Sequence, residues 1–324
     1  MITDRITERK TIEREWITTG HKIFVTGHTG LVGAGIVNAI NGKDKVIGFS
    51  RGKTPDPNPE RGNLQVVNGD LSNFNELLGA IRDTHPSLIL HLVFDTNVDS
   101  FEGAQSKKEI EMQALGITTV ANMLDIPVIA ASSDYRYGKM GGPFSEGDAR
   151  SPINKYGEAK TWMEDIILKC LPFEQRMLAV FSSPYDFDNQ TKPGTPPLLL
   201  NLMRQNKALK VVGDARTTYT NVDDIAYALN RLMLNKVWQE RDIVHIAGPD
   251  VLSARDIIEI NKEFVLGYSG EITEVMLDEY FKGRADRPRE GGLRTETLNG
   301  MKVKMRSYRE VLGAWAPLHF SISL

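Results

Sequence analysis

A glycine-rich turn between a short apolar segment and an amphipathic one constrains the fold more than any other feature of the sequence. The apolar segment Ile23–Val25 runs into Gly27-His28-Thr29-Gly30-Leu31-Val32-Gly33, which opens a helical pattern that reaches Ile40. Glycines with this spacing permit a tight turn and bring backbone N–H groups at a helix N-terminus close to a pyrophosphate. The turn therefore predicts a dinucleotide-binding unit, with an ordinary glycine-rich turn as the alternative. We expect the His28 side chain to point outward.

The N-terminal half alternates between short apolar runs and longer helical stretches, a pattern typical of βαβ units around a parallel sheet. The apolar runs are continuous, as expected for strands that helices cover on both faces. The regularity weakens after about Pro184. The predicted strands are Lys22 to Thr26, Lys45 to Phe49, Leu64 to Asn68, Leu88 to Leu92, Val128 to Ala131 and Met177 to Phe181.

These patterns predict an α/β fold, a doubly wound parallel sheet of the Rossmann type with a smaller C-terminal substrate-binding lobe. The predicted nucleotide-binding domain spans residues 21–185, and the lobe spans residues 186–324. We expect the lobe to be discontinuous, because the segment at about 220–248 contains a helix and a strand that return to the main sheet. Residues 1–20 precede the first predicted strand, and we assign them to an N-terminal extension.

Composition excludes several classes of function. The net charge is -3 and the 39 Lys and Arg residues are evenly scattered, so no basic stripe is present for nucleic acid. Cys170 is the only cysteine, which excludes an intrachain disulfide, and no Cys/His spacing resembles a metal site. No apolar run approaches the roughly 20 residues of a membrane span. We therefore predict a cytoplasmic chain that binds neither nucleic acid, metal nor membrane.

The end of the second predicted strand indicates which dinucleotide binds. It reads Phe49-Ser50-Arg51, where an enzyme that uses NAD commonly places an acidic residue for the ribose 2′-OH. Arg51 offers a cation to a 2′-phosphate, which favours NADP, with NAD as the second choice; the alternative is a solvated surface arginine. Asp70, at the end of the next strand, is placed either to accept a hydrogen bond from the adenine amine or to cap the following helix.

A tyrosine and a lysine lie one helical turn apart in Tyr156-Gly157-Glu158-Ala159-Lys160. At this distance the Lys160 ammonium can lower the pKa of the Tyr156 phenol from its ordinary value of about 10, so that Tyr156 acts as an acid or base near neutral pH. The fifth predicted strand runs into Ser133, at the edge where parallel sheets bind ligands. Ser133 is therefore expected to hydrogen-bond a substrate carbonyl opposite Tyr156.

These motifs, taken together, resemble those of the extended short-chain dehydrogenases/reductases, and most closely the dTDP-4-dehydrorhamnose reductases. The segments Ser132–Tyr135, Gly141–Glu146 and Pro152–Lys160 are similar to the active-site stretch of that family. Thr96–Glu102 resembles its Thr-x-Val-Asp-x-x-Glu motif, and Arg287–Thr295 resembles its closing motif. The resemblance extends over about residues 22–298.

The resemblance implies hydride transfer from NADPH to the ketone of a nucleotide-linked 4-keto-6-deoxy sugar. Ser133 would polarise the ketone, Tyr156 would donate the proton, and Lys160 would support Tyr156 and the cofactor ribose. The predicted cofactor-binding residues are Gly27, Thr29, Gly30, Leu31, Val32, Gly33, Ser50, Arg51, Asp70, Leu71, Leu92, Val93, Tyr156, Lys160 and Ser183. The predicted substrate-binding residues are Thr96, Ser133, Asp134, Tyr156, Arg216 and Arg287, the two arginines being suited to a diphosphate.

The sequence differs from the family pattern at several positions, among them Leu92-Val93-Phe94, where small alanines are common, and Ser182-Ser183-Pro184, where an asparagine is common. Gln113 stands where these proteins usually have a helical asparagine, and Val180 stands where many carry an arginine. Two other functions remain open: a nucleotide-sugar 4-epimerase that retains NAD, and a non-catalytic NADP-binding regulatory protein. By analogy with the family, we also expect a homodimer formed through the helices at about 109–124 and 155–168.

Overall fold

A parallel sheet of seven strands organises the computed structural model, which describes residues 16–40, 44–52, 62–93, 96–102, 105–189 and 192–320. The strands are β1 (Lys22–Thr26), β2 (Lys45–Ser50), β3 (Leu64–Asn68), β4 (Leu88–His91), β5 (Val128–Ser133), β6 (Arg176–Phe181), β7 (Pro184–Tyr185), β8 (Leu209–Val212), β9 (Arg216–Thr218), β10 (Thr220–Asn221), β11 (Ile243–Ile246), β12 (Val251–Ser253) and β13 (Ile272–Val275). The sheet order is β11-β6-β5-β4-β1-β2-β3, and every pairing in it is parallel.

The strand order reverses beside β1, because β2 and β3 extend the sheet in one direction and β4, β5, β6 and β11 extend it in the other. Connections leave β1 and β4 toward opposite sides at such a point, which opens a crevice at the carboxyl ends of the strands. Thr26 and His91 end these two strands, and Thr26 Oγ1 lies 2.8 Å from His91 Nδ1. This buried contact joins the two strands at their carboxyl ends.

Helices cover both faces of the sheet. The helices are α1 (Leu31–Ala39), α2 (Phe74–Thr84), α3 (Gln105–Met123), α4 (Lys155–Cys170), α5 (Thr195–Arg204), α6 (Val222–Leu234), α7 (Ala254–Lys262), α8 (Leu277–Tyr280), α9 (Glu296–Gly300) and α10 (Tyr308–His319). One apolar core joins the sheet to α1 and α6, and a second joins its other face to α2, α3 and α4. Strands buried on both faces need continuous apolar sequence, which explains the runs in the N-terminal half.

The predicted α/β fold is therefore confirmed, and the predicted strands differ from the observed ones only at their ends. The fourth strand ends at His91 rather than Leu92, and the fifth continues to Ser133 rather than Ala131. The returning helix and strand are α6 and β11, and β11 pairs with β6 at the sheet edge.

A third apolar core lies outside the main sheet. It combines α5, α7 and α10 with β8, and its buried side chains include Leu200, Ile257 and Leu312. These elements come from separate stretches of the C-terminal half. The segment 298–305 joins the first core instead, through Leu298 and Met305, which the sequence did not indicate.

The segment 16–20 belongs to the predicted N-terminal extension, yet it packs against the nucleotide-binding half. The Trp16 side chain is 3% exposed and its Nε1 donates to Asp44 Oδ2 at 2.7 Å. Asp44 also accepts hydrogen bonds from the backbone N–H groups of Thr19 and Gly20. Ile17 exchanges two backbone hydrogen bonds with the side chain of Asn230. These long-range contacts left no periodic signal in the sequence.

No helix in the described ranges is both long and apolar enough to cross a bilayer. Among the same residues, His, Cys, Asp and Glu side chains form no group that could hold a metal ion.

Candidate active site

The glycine-rich turn lies directly above β1 and touches the segment that follows β4. Gly27 has a φ of +77°, and a Cβ there would lie 3.0 Å from the backbone N of Val93 and 3.1 Å from the carbonyl carbon of Leu92. A Cβ at Gly33 would lie 2.1 Å from the carbonyl oxygen of Gly27. Glycine is therefore required at both positions, because α1 begins within contact distance of the turn.

The N-terminus of α1 is suited to an anion. Its N-cap is Gly30, which offers no side-chain acceptor, and its first turn contains no acidic residue. The first N–H groups of a helix lack partners within the helix, and they carry the positive end of the helix dipole. The glycine-rich turn and the uncapped N-terminus of α1 together fit the pyrophosphate of a dinucleotide.

The prediction that His28 points outward is wrong. Its side chain is 4% exposed, and its ring lies against Gly48 of β2. A Cβ at Gly48 would lie 2.7 Å from the ring, so the pair needs a glycine on the strand. Burial lowers the pKa of His28. Because these residues are 20 positions apart, the contact depends on the β1–β2 register rather than on any local pattern.

The rim beside β2 carries the residues predicted to select the cofactor. Ser50 ends β2, and the exposed guanidinium of Arg51 lies 3.9 Å from Glu109 Oε1 on α3. Gln113 Nε2 donates to the same Glu109 oxygen at 3.1 Å. An exposed and loose ion pair contributes little, so Arg51 can turn to a phosphate at small cost.

Asp70 is not the cap of the following helix. Its Oδ1 accepts a hydrogen bond from the backbone N–H of Ser72 at 2.8 Å, whereas Asn73 caps α2. Leu71 is buried beside it in the second core. The adenine contact predicted for Asp70 stays a prediction.

Helix α4 lies unusually close to the 3-10 turn Asp134–Arg136 that follows β5. A Cβ at Gly157 would lie 2.2 Å from the carbonyl oxygen of Tyr135, so only a glycine permits this approach. Asn154 caps the helix, since its Oδ1 accepts the N–H of Gly157 at 2.8 Å. This packing presses the helix face that bears Tyr156 and Lys160 against the end of β5.

Tyr156 and Lys160 contact the chain on either side of Ser133. The Tyr156 ring is 7% exposed and packs edge-on against the rings of Tyr135 and Phe101, each with centroids 5.3 Å away. Lys160 Nζ donates to the carbonyl oxygen of Ala131 at 3.0 Å. The structure thus brings the three predicted catalytic residues to the carboxyl end of β5.

Burial lowers the pKa of Lys160 to about 7, although the carboxylate of Glu164 acts to raise it. The side chain is only 3% exposed, and a charged ammonium loses most of its hydration there. Burial, with the nearby charge of Lys160, also lowers the pKa of His91 to about 4. The Lys160 ammonium therefore titrates near neutral pH, where it can respond to the charge state of the Tyr156 phenol.

Asp134, predicted to bind substrate, has both carboxylate oxygens engaged within the protein. Oδ1 accepts from Ser133 Oγ at 3.1 Å, and Oδ2 accepts from Ser182 Oγ at 2.6 Å and lies 3.3 Å from Thr217 Oγ1. Burial raises the pKa of Asp134, against the effect of these hydroxyl groups. Asp134 thus links the ends of β5, β6 and β9, and Ser133 must turn from it to reach a substrate.

A buried charge cluster behind the site was missed by the sequence analysis. Glu164 is fully buried, accepts a hydrogen bond from Ser132 Oγ, and pairs with Arg136 at 3.3 Å and Arg150 at 3.4 Å. Glu164 lies one helical turn after Lys160 on the same face of α4. The spacing of four residues between Lys160 and Glu164 could have indicated in the sequence that the two lie close together. The pairing with Arg136 and Arg150 could not be predicted in this way, because both arginines lie outside α4.

The remaining predicted ligands are more dispersed. Arg216 Nη2 lies 3.2 Å from Asp256 and donates to the carbonyl of Val251 on an exposed surface. The next residue on its strand, Thr217, is the one that reaches Asp134, because alternate residues of a strand face opposite sides. Thr96 is exposed, and Ser183 has a φ of +36° after β6. Their ligand roles stay predictions.

Val180, which stands where the sequence resemblance leads us to expect an arginine, packs among apolar side chains. It is fully buried and belongs to a small core with Tyr137, Phe144 and Leu293. Tyr137 stacks on Phe144 at 4.6 Å, and its hydroxyl lies 3.0 Å from His245 Nε2. This core leaves no room for a charged side chain without a partner.

Comparisons with known proteins agree with this geometry. A family model described as "RmlD substrate binding domain" matches residues 21–317. The dTDP-4-dehydro-6-deoxyglucose reductase of Escherichia coli is 24% identical over 276 residues, which are 77% of this chain and 85% of that protein. A dTDP-4-dehydrorhamnose reductase structure from Clostridium acetobutylicum superposes with a TM-score of 0.73 at 20% identity, covering 92% of this chain and 99% of that one. The structure of the Bacillus anthracis dTDP-4-dehydrorhamnose reductase in complex with NADP superposes with a TM-score of 0.71 at 18% identity. The match covers 90% of this chain and 97% of that one.

Replacement of the buried lysine tests its electrostatic environment. The unfolded chain binds a proton on Lys160 up to a pH of about 10.5, whereas the folded chain releases it above about 7, so burial of this lysine costs most below pH 7 and progressively less as the pH rises. Lys160→Met is therefore expected to raise the free energy of unfolding by roughly 2 kcal/mol more at pH 6 than at pH 9. Urea unfolding at both pH values measures this difference.

The matched control is Lys169→Met, an exposed lysine in the last turn of the same helix, which should change stability little at either pH. A Lys160→Met effect that is the same at pH 6 and pH 9 would show that Lys160 is not desolvated as described.

Proposed function

The chain belongs to the RmlD substrate binding domain family, and from this membership we propose that it is an NADPH-dependent reductase of the keto group of a nucleotide-linked 4-keto-6-deoxy sugar. The observation that carries the proposal is the burial of Tyr156 and Lys160 against the chain on either side of Ser133. The uncapped end of α1 lies at the same carboxyl edge of the sheet. A curated relative that is named a reductase supports the same activity.

The geometry supports a separate role for each residue during ketone reduction. When bound, NADPH supplies the hydride. Ser133 and Tyr156 hydrogen-bond the ketone oxygen, and the Tyr156 hydroxyl gives its proton to that oxygen as negative charge develops there. The positive charge of the Lys160 ammonium stabilises the tyrosinate until solvent returns the proton. The walls formed by Phe101 and Tyr135 exclude water from one side of the Tyr156 ring.

Arg51 supports the choice of NADP over NAD. It stands at the end of β2, where a carboxylate would repel a 2′-phosphate, and its ion pair with Glu109 is exposed and loose. A guanidinium can bind a phosphate through two parallel hydrogen bonds. The related reductase structure that contains NADP agrees with this choice.

Removal of the proton donor gives the first test of the function. Tyr156→Phe should lower kcat for ketone-dependent NADPH oxidation by about 100-fold or more, because the ring and its packing remain but the transferable proton is lost. NADPH binding, followed by fluorescence, should weaken by less than about 10-fold, because only one of the predicted cofactor contacts is lost. Tyr227→Phe, a tyrosine on α6 beside the first core, is the control and should retain full activity. Full activity of Tyr156→Phe would refute the assigned role.

Removal of the rim arginine tests the cofactor. Arg51→Ala should weaken NADPH binding by roughly 10-fold or more, because a charge-assisted contact to phosphate is lost. NADH binding should be unaffected, since NADH lacks the 2′-phosphate. Arg82→Ala, an exposed arginine on α2 that pairs with its neighbour Asp83, serves as control. An equal loss for both cofactors would contradict selection by Arg51.

We also propose a cytoplasmic homodimer that assembles through α3 and α4. Met112, Leu115 and Met123 lie on one face of α3 and are 44%, 41% and 61% exposed, an apolar stripe of the kind found at protein interfaces. Cys170 is exposed and unpaired, which fits a reducing compartment. A cytosolic extract made without detergent should contain the chain at twice its mass of 36.2 kDa on sedimentation. A 36.2 kDa species would exclude the dimer, and recovery with membranes would exclude the location.

A further inference from the structure

A short segment of the C-terminal half, Ala285–Arg287, is fastened to two elements that also contact Tyr156. Asp99 Oδ1 accepts the backbone N–H of Ala285 at 3.1 Å and Arg287 Nη2 at 2.9 Å. Asn154 Nδ2 donates to the carbonyl oxygen of Asp286 at 2.7 Å. Every residue of this segment, named here the clamp segment, is therefore hydrogen-bonded to the nucleotide-binding half.

The two residues that bind the clamp segment, Asp99 and Asn154, both belong to elements that contact or carry Tyr156. Asp99 lies in the 3-10 turn Val98–Glu102, and Phe101 of this turn packs its ring edge-on against Tyr156. Asn154 uses its other side-chain atom, Oδ1, to cap α4 at the N–H of Gly157. One asparagine thus joins the clamp segment to the first turn of the helix that bears Tyr156.

The guanidinium of Arg287 is committed on several sides. Besides the bond to Asp99, Nη1 donates to the carbonyl oxygen of Ala285 at 2.6 Å, and the Phe281 ring lies 4.8 Å below the guanidinium carbon. The Arg287 side chain is 11% exposed, and its partner Asp99 is 35% exposed. The guanidinium is thus largely shielded and hydrogen-bonded, and separating it from Asp99 would leave its charge without a partner.

The ionisation of Asp99 agrees with this pairing. Desolvation acts to raise its pKa, but the hydrogen bonds from Arg287 and from the Ala285 N–H, together with the charges of Arg287 and Arg284, lower it below its ordinary value. Asp99 is therefore charged throughout the neutral range.

We propose that Arg287 is a positioning residue for Tyr156 rather than a ligand of the substrate diphosphate. Through Asp99 it holds the clamp segment on the nucleotide-binding half, and the turn and helix cap that receive this segment fix the Tyr156 ring. The proposal rests on the proposed function to the extent that Tyr156 is the proton donor. Arg287 and Asp99 then act as one unit, because the Arg287 side chain reaches the turn through Asp99, which also accepts the Ala285 N–H.

Kinetics of Arg287→Met, Asp99→Asn and the double variant separate the two roles. A misplaced proton donor should lower kcat by about 10- to 100-fold with little change in the KM of the sugar nucleotide. The double variant should be no worse than Asp99→Asn alone, because Asp99 is the residue through which Arg287 acts and contacting residues of one unit are not additive. A phosphate ligand would instead raise KM in Arg287→Met alone, leave Asp99→Asn active, and overturn the proposal. Lys282→Met, five residues earlier and exposed, is the control that should retain both constants.

Hydrogen exchange gives a readout that does not depend on turnover. In Arg287→Met and in Asp99→Asn, the amides at 98–101 and 155–158 should exchange faster by about 10-fold, while amides of α6 on the other face of the sheet stay unchanged. Unchanged exchange at 98–101 and 155–158 overturns the proposal even if the wild-type chain reduces no ketone. Absence of turnover in the wild-type chain, with accelerated exchange in both variants, would count against the proposed function and leave the positioning role supported.

Discussion

Helix α4 lies so near the end of β5 that a Cβ at position 157 would be 2.2 Å from the carbonyl oxygen of Tyr135. This approach lets Lys160 reach the carbonyl of Ala131, and it places the Tyr156 ring against Tyr135. Neither contact survives if the helix moves outward by the width of a methyl group. The glycine in the Tyr-Gly-x-x-Lys pattern is therefore as much a part of the site as the two side chains that perform chemistry.

The close packing has an electrostatic cost. It buries Lys160, whose pKa falls to about 7, and it buries Glu164 completely. Arg136 and Arg150 pair with Glu164, so the carboxylate behind the lysine is neutralised from outside the helix. Apolar side chains in place of these buried charges could make the protein more stable. The charges are retained because the proposed reaction needs Lys160 beside Tyr156.

Sequence reasoning located those parts of the site that depend on neighbours along the chain. The glycine-rich turn, the strand ending at Ser133 and the Tyr156–Lys160 pair are each local patterns with fixed spacing, and the fold brought them together at one edge. His28 was misplaced because its burial requires Gly48 on a neighbouring strand. Trp16 was overlooked because its partner Asp44 lies 28 residues away, next to the start of β2, and no local pattern connects the two.

The C-terminal half was harder to predict because its contacts join distant segments. Arg287 and Arg216 looked equivalent in sequence, yet Arg287 pairs with Asp99 near Tyr156, whereas Arg216 pairs with Asp256 on an exposed surface. The alternation of side chains along β9 explains the position of Arg216, since Thr217 and not Arg216 faces Asp134. No periodicity of the sequence distinguishes one surface arginine from another before the lobe is assembled.

The fate of the hydride tests the central claim most directly. The chain would be incubated with NADPH that carries deuterium at its transferable position and with a panel of nucleotide-linked 4-keto-6-deoxy sugars, and the products would be analysed by mass spectrometry and NMR. A reductase should form one deuterium-labelled alcohol at the former ketone carbon for each NADP released. Epimerised sugar without isotope and without release of oxidised cofactor, or no reaction across the panel, would contradict the account.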